Sequence, residues 1–437
     1  MDIPQHCDVV VIGGGPGGSL TGTYLTQKGY QVVLFDKQRH PRYVVGESLL
    51  PDFWKYTDAA GCSDKIIADG FVQKEGGTVI WSGKISGVAF KNFGFSRPAL
   101  HVERDRFDFI LLENAKDKGV KVFEEVGVTQ VNFANPEQPV AHYRSETGLS
   151  DTITCRYVVD ASGQSAVIGR QLGLRIVDEG FRFMSVWGYF KDSKYISYGG
   201  KVHPFEAMKD TAPTTFVTSL DHIGEGGWCW HIPQRDATSI GLILPSKVMK
   251  SFKSEDEDWE QYFLRACGEI PILNTLLEGA SFVPGSVRLT RDYSYRSSQV
   301  SGPGYFLVGD AAGFVDPIFS VGVLMAMYAA FAAAWAIDQS LRRPALAEKN
   351  RRIYEKQLQG RNELARSLAL PHYETELQTS DIAKLMMRFE RDNSLDLMMA
   401  VSGLTSRSEN FIALSEGTSS REIAPGQLLE IEAIDFG

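Results

Sequence analysis

Six residues near the start of the chain restrict its fold more than any others. They read Gly13-Gly14-Gly15-Pro16-Gly17-Gly18 and contain G-x-G-x-x-G as Gly13, Gly15 and Gly18. The β-branched run Val9–Ile12 leads into them. A helix-forming stretch follows at 19–28, ended by Gly29, and a second strand-like run lies at 31–35. In such a β-α-β unit Gly13 permits the tight turn, Gly15 lets the backbone approach a pyrophosphate, and Gly18 lets helix and strand pack closely. The helix start offers unpaired N–H groups and a positive dipole end to phosphate. Asp36 stands 23 residues after Gly13, where an acid accepts from ribose hydroxyls and disfavours a 2′-phosphate. The unit predicts a nucleotide-binding α/β domain.

Composition narrows the partners. The chain has 437 residues, of which 43% are hydrophobic and 23% charged, as in ordinary globular proteins. Lys and Arg number 45 against 54 Asp and Glu, a net charge of −9, which argues against nucleic acid as a partner. The five cysteines are dispersed with no C-x-x-C pair, so neither a disulfide framework nor a metal site is expected. Few residues precede the first apolar run, and no secretory leader is expected. These features point to a cytoplasmic protein. Residues 317–337 carry no charge and raise the question of a membrane span. Their alanine content and the Gly-Asp sequence just before them predict a buried core helix, and no membrane.

Further along, 106–118 reads as a helix with Phe107, Ile110, Leu111 and Asn114 on one stripe and Gly119 as its stop. Strands are expected at 120–123, 126–133 and 157–160. Between 181 and 288 the alternation and the many aromatics predict an antiparallel sheet, with a helix at 256–267. From 339 onward the chain turns charged and helical.

Two further segments carry a resemblance that bears on which nucleotide is bound. Gly304-Tyr305-Phe306-Leu307-Val308-Gly309-Asp310-Ala311-Ala312-Gly313 is a strand followed by Gly-Asp and small residues, and Asp160-Ala161-Ser162-Gly163 ends another strand. With the glycine turn, these resemble the FAD-dependent aromatic hydroxylase superfamily. The resemblance spans most of 8–340. It implies that Asp310, after Gly309, accepts from a ribityl hydroxyl, and that a helix starting near Ala312 points at the flavin. Gly46-Glu47-Ser48 and His101–Asp108 also resemble flavin-contacting segments of that group, with Arg104 as the cofactor-facing arginine. The implied architecture is α/β plus β. A discontinuous Rossmann-like FAD-binding domain (1–180 and 289–338) holds an inserted antiparallel-sheet substrate domain (181–288), and a helical C-terminal segment (339–437) follows.

Three further segments resemble flavin-dependent halogenases. Trp228-Cys229-Trp230-His231-Ile232-Pro233 matches W-x-W-x-I-P. Phe314-Val315-Asp316-Pro317-Ile318-Phe319-Ser320-Val321-Gly322 resembles their second signature. Lys74, in Gly70–Trp81, stands in a segment like the one carrying their essential lysine. The resemblance implies that reduced FAD, supplied by a separate reductase, acts with O2 and chloride or bromide to make hypohalous acid. Lys74 would direct the halogen onto a ring, and an aromatic lining would lower its pKa. Val321 and Gly322 would offer backbone N–H groups to the halide, with Ser320 orienting the loop and Pro317 beside the cofactor. Trp228 and Trp230 would keep substrate from flavin, with Cys229 and His231 facing the other way. By residue type alone, the tryptophans equally suit ordinary packing and Lys74 a solvated surface. Phe319 replaces a glutamate of the tryptophan halogenases, which points to phenols or pyrroles, free or on an acyl or peptidyl carrier protein. Glu47, Asp316 and His231 are the candidate general bases. The competing reading is an FAD-dependent aromatic monooxygenase or oxidoreductase on the same fold. A prenyl-lipid reductase, or a flavin-binding protein without turnover, is the remaining option.

Overall fold

The computed structural model describes residues 2–369, apart from 82–83, 94, 180 and 221–225. The expected C-terminal segment is therefore described only as far as 369, where the helix Ala347–Ala369 ends; residues 370–437 lie outside the described part.

The nucleotide-binding sheet has six strands in the order Ser301–Gly302, Tyr305–Leu307, Tyr157–Asp160, Val9–Ile12, Val32–Asp36, Lys121–Glu124. All neighbours are parallel except at the Ser301–Gly302 edge. Val9 pairs with Val32 and Tyr157, and Ile12 with Phe35 and Asp160, so the turn, Asp36 and Asp160 emerge at one end of the sheet. Strands covered on both faces need continuous apolar runs, which Val9–Ile12 supplies with four buried residues. The helix Pro16–Gln27 covers one face. The helix Arg104–Asp117 buries the expected stripe of Phe107, Ile110, Leu111 and Asn114.

The long apolar helix is Gly322–Arg342, long and apolar enough to cross a membrane by length and composition. Its most apolar window is 72% buried inside the protein. It packs on Pro16–Gln27, where Tyr24 meets Phe331 edge-on with ring centroids 5.3 Å apart, and on Ala347–Ala369. It begins at Gly322, not near Ala312. After Asp310 the chain makes one 3₁₀ turn, Gly309–Ala311, and a short strand, Gly313–Phe314, paired with Tyr295–Ser297. Pro317 carries no N–H, and the Asp316 carboxylate accepts the Ile318 N–H at 2.9 Å, so a helix cannot propagate through this stretch.

The second large sheet is antiparallel in the 181–288 region, as expected, but it also takes strands from outside that range. Its order is Ser281–Phe282, Phe183–Lys191, Thr238–Pro245, Trp228–Pro233, Thr214–Ser219, Gly76–Trp81, Lys84–Ala89, with Arg288–Arg291 also on Phe183–Lys191. The hairpin 76–89 thus leaves the nucleotide-binding portion and joins this sheet through a parallel pairing with Thr214–Ser219. The expected boundary at residue 180 therefore does not coincide with where strands join this sheet, because strand partners are set by long-range register and not by chain order. One face of this sheet carries Val186, Cys229, Ile240 and Leu242 against the helices Trp259–Glu269 and Pro271–Leu276. The other carries Trp187, Trp228, Trp230 and Ile232 toward the nucleotide-binding sheet.

Candidate active site

A cavity of about 720 Å³ lies between the two sheets. One wall is the glycine turn with Asp36, Glu47, Ser48, Arg104, Gly309 and Asp310; the other is Trp187, Thr215, Trp228, Trp230 and Ile232.

The turn is shaped for close approach. Gly13 has φ +101°, and a Cβ there would stand 2.5 Å from the Ala161 carbonyl oxygen. A Cβ on Gly18 would stand 1.8 Å from the Gly13 carbonyl oxygen, so neither position admits a side chain. The Gly15 N–H end of the helix, with Pro16 behind it, opens into the cavity, and the Arg42 guanidinium hangs over Gly15. Asp36 ends its strand on the cavity wall. Its two oxygens accept the N–H groups of Gly14 at 2.7 Å and Gln38 at 2.8 Å, which fixes the turn against the second strand. Asp310 is half-buried on the cavity wall, and desolvation pushes its pKa up to about 6 against the opposing pull of Arg104. A backbone cradle with no room for side chains, a positive helix end and a carboxylate acceptor facing the cavity fit a flavin dinucleotide.

Arg104 is buried at the first turn of its helix and lines the cavity. Four of its five N–H groups are spent: two on Asp108, at 2.8 and 3.0 Å, and two on the carbonyls of Val45 and Gly46, at 2.9 and 3.2 Å. It shapes the loop carrying Glu47 and Ser48 as well as facing the cofactor region.

Lys74 ends the short strand Val72–Lys74 and is completely buried behind Ser48. Its Nζ donates to Ser48 Oγ at 2.8 Å and the Leu49 carbonyl at 3.2 Å, and lies 5.2 Å from the centroid of the Phe90 ring. Burial pushes its pKa down to about 7, so near neutrality a large share of the amine is uncharged. Ser320 Oγ also donates to Ser48 Oγ, at 3.0 Å, so Ser48 joins the lysine to the loop before the long helix. That loop is tightly specified. Ser320 sits at φ +57°, its N–H bonds the Pro317 carbonyl at 2.9 Å, and a Cβ on Gly322 would crowd Phe314 at 3.1 Å. Val321 and Gly322 stand at the helix start, where backbone N–H groups have no intrahelical acceptor. Pro317, Ser320 and Gly322 line the cavity; Phe319 is buried off its wall.

The strand Trp228–Pro233 alternates as expected. Trp228 and Trp230 line the cavity with centroids 5.9 Å apart, while Cys229 packs on the far face. His231 also faces away, bonded to Ser193 Oγ at 2.9 Å, and burial pushes its pKa down to about 3. It is therefore removed as a candidate base for cavity chemistry. Asp316 is removed too, because its carboxylate is engaged by the Ile318 N–H and by the Tyr293 hydroxyl at 3.3 Å. Glu47 lines the cavity, accepts from the Tyr189 hydroxyl, and has its pKa raised by burial. Sequence reading missed Trp187, whose ring centroid is 6.4 Å from that of Trp230, and also Thr215, Tyr189 and Arg42. None of them lies in a recognisable motif; the pairing of distant strands gathers Trp187, Tyr189 and Thr215, and the loop after Asp36 brings Arg42. Among the described residues no cluster of His, Cys, Asp or Glu suits a metal.

Comparison with known proteins agrees with this geometry. A family model described as the FAD binding domain matches residues 6–349. A flavin-dependent halogenase of Armillaria mellea is 31% identical over 360 residues, covering 78% of this chain and 69% of that protein. The chain belongs to the flavin-dependent halogenases. A tryptophan 2-halogenase of Chondromyces crocatus is 36% identical over 342 residues, covering 77% of this chain and 62% of the relative. The solved structure of the myxobacterial chondrochloren halogenase matches with a TM-score of 0.76 and 27% identity, covering 98% of this chain and 97% of that one. The chain spans 62 to 66% of the length of several curated relatives it matches. FAD is the cofactor of the family, and the cavity described above is where it fits.

Proposed function

We propose that the chain halogenates an electron-rich aromatic, a phenol or a pyrrole, free or carried on an acyl or peptidyl carrier protein, using FADH2, O2 and chloride or bromide. The observation that carries this reading is Lys74: an amine enclosed by protein, held by Ser48 and Leu49, with a pKa lowered to about 7. Bound FAD, reduced by a separate reductase, supplies with O2 the oxidising equivalent that turns halide into hypohalous acid. The chain's residues do the rest. Gly13, Gly15 and Gly18 clear the pyrophosphate path, and Asp310 accepts from the cofactor's polyol. The N–H groups of Val321 and Gly322 meet the halide, with Ser320 holding their loop. The Trp228–Trp230 wall keeps the ring away from the flavin. The uncharged Lys74 amine takes the hypohalous acid by hydrogen bond, or takes its halogen with loss of water, and presents it to the ring carbon. Glu47 is the remaining candidate to accept the ring proton. The net charge of −9 leaves halide capture to these local groups. A cytoplasmic setting suits the five unpaired thiols.

Phe319 supports phenol or pyrrole as substrate. The relative named for tryptophan supports a second reading, an indole substrate, and both belong in one assay. The protein is given reduced FAD, O2, chloride or bromide and a panel of phenols, pyrroles and indoles, free and carrier-bound. Products are read by halogen isotope pattern in mass spectrometry. Halogenated phenol or pyrrole is the expected result. Oxygenated product without halogen would favour the monooxygenase reading, and normal halogenation by Lys74→Ala would remove the lysine from the mechanism.

A further inference from the structure

Behind the cavity wall, a line of hydrogen bonds runs from Lys74 to His101, the first residue of the segment His101–Asp108. Ser48 Oγ lies 2.9 Å from Thr215 Oγ1, Thr215 Oγ1 lies 2.8 Å from His101 Nε2, and His101 Nδ1 lies 2.9 Å from the Pro233 carbonyl oxygen. His101 is fully buried, and Ser48 and Thr215 are each more than nine-tenths buried. Five segments contribute: the loop at 47–49, the strands Val72–Lys74, Ala99–His101 and Thr214–Ser219, and the end of Trp228–Pro233.

The direction of every proton in this line is determined. A carbonyl only accepts, so His101 Nδ1 carries the hydrogen. Burial and the neighbouring Lys74 keep the imidazole neutral, well below its ordinary pKa; His231 acts on it in the same direction. Nε2 then carries a lone pair, and Thr215 donates to it. Thr215 has no second hydrogen, so Ser48 donates to Thr215. Ser48 Oγ is left with its two lone pairs alone, and these receive Lys74 and Ser320.

We propose that His101, through Thr215, is a positioning residue for Lys74: it forces Ser48 to act only as an acceptor, which aims the amine's N–H groups at Ser48 and Leu49 and its lone pair away from them. Among the groups facing Lys74, the serine is the one that could otherwise reverse. If its hydroxyl were released it would turn and donate to the lone pair, tying up the atom that must receive halogen. The proposal rests on the reading of Lys74 given above, but its test separates the two.

Thr215→Val cuts the line and Thr215→Ser restores it. The Lys74 pKa is read by NMR titration of ¹³Cε-lysine protein, assigned by comparison with Lys74→Arg. In Thr215→Val the freed serine hydroxyl stabilises the uncharged amine, so the Lys74 pKa falls by about one unit. Halogenation at pH 7 falls about tenfold with substrate KM unchanged. Thr215→Ser titrates and turns over like the parent. His101→Phe gives the same downward shift as Thr215→Val. A Thr215→Val protein whose Lys74 titrates as in the parent overturns the proposal, whatever its activity. If Lys74→Ala halogenates normally while the titration shift is present, the catalytic reading of Lys74 falls and the positioning stands.

Discussion

Replacing Lys74 by methionine keeps the length of the side chain and removes the amine. The buried lysine has its pKa pushed down from 10.5 to about 7 by desolvation. Between those values the unfolded chain holds one more proton than the folded protein, so this group makes stability rise with pH across the window. Below about pH 7 both states are protonated and the whole penalty is present. At about 1.4 kcal/mol per unit, a 3.5-unit depression amounts to about 5 kcal/mol, and it is fully recovered only above pH 10.5. Methionine escapes that penalty but leaves Ser48 Oγ and the Leu49 carbonyl each short of a donor, at about 1–3 kcal/mol, independent of pH. The stability difference between Lys74→Met and the parent is therefore expected to favour the variant most at pH 6. It should shrink by about 4 kcal/mol by pH 10. Urea unfolding at six pH values measures it, and subtracting the parent curve cancels every other titrating group. A difference curve flat from pH 6 to 10 would refute the argument, because it would mean that Lys74 keeps its proton in the folded protein.

Three other substitutions follow from the same geometry. Gly18→Ala places a Cβ 1.8 Å from the Gly13 carbonyl oxygen. It is expected to weaken FAD binding at least about tenfold (~1.4 kcal/mol), read as flavin absorbance retained on purification. Arg104→Ala takes from the wholly buried Asp108 the partner that holds both its oxygens, leaving Arg42 at 3.3 Å, and should cost about 3 kcal/mol in urea unfolding; a loss below 1 kcal/mol would contradict this account of the pair. Gly241→Ala puts a Cβ 2.1 Å from Trp230 Cζ2, where contact needs about 3.5 Å. The indole must move, stability should fall by about 1–3 kcal/mol, and tryptophan fluorescence should change.

What was legible in the sequence is what a few adjacent residues decide. The glycine turn, its strand, its helix and Asp36 are local: φ at Gly13 and the clearance at Gly18 fix the residue type whatever surrounds them. The alternation of Trp228 and Trp230 against Cys229 and His231 is local as well, once the strand is granted. Lys74 was readable as a residue but not as an environment, because its burial is made by Ser48, Leu49 and Phe90, which nothing in the pattern brings to it. The start of the long helix was misjudged for a local reason. Small residues at 311–313 read as a helix start, whereas the loop through Asp316 and Pro317 postpones it to Gly322. The strands Gly76–Trp81 and Lys84–Ala89 have no reading in the sequence, because pairing with Thr214–Ser219 spans more than a hundred residues.

Gly241 shows why a strand's weakest-looking residue needs its neighbours to be understood. In Thr238–Pro245 it reads as a loss of packing and of β propensity. In the sheet it stands opposite Trp187 on one side and Trp230 on the other. The row of three side chains is indole, hydrogen, indole. The missing Cβ is the space into which the Trp230 ring lies, with its Nε1 donating to Ser239 Oγ at 3.1 Å. Two indoles on alternate strands approach to 6.4 Å only because the residue between them occupies nothing. The wall on which the proposed separation of substrate from flavin depends is thus three strands wide. Its aromatic density is set by Gly241, which lies outside the cavity lining.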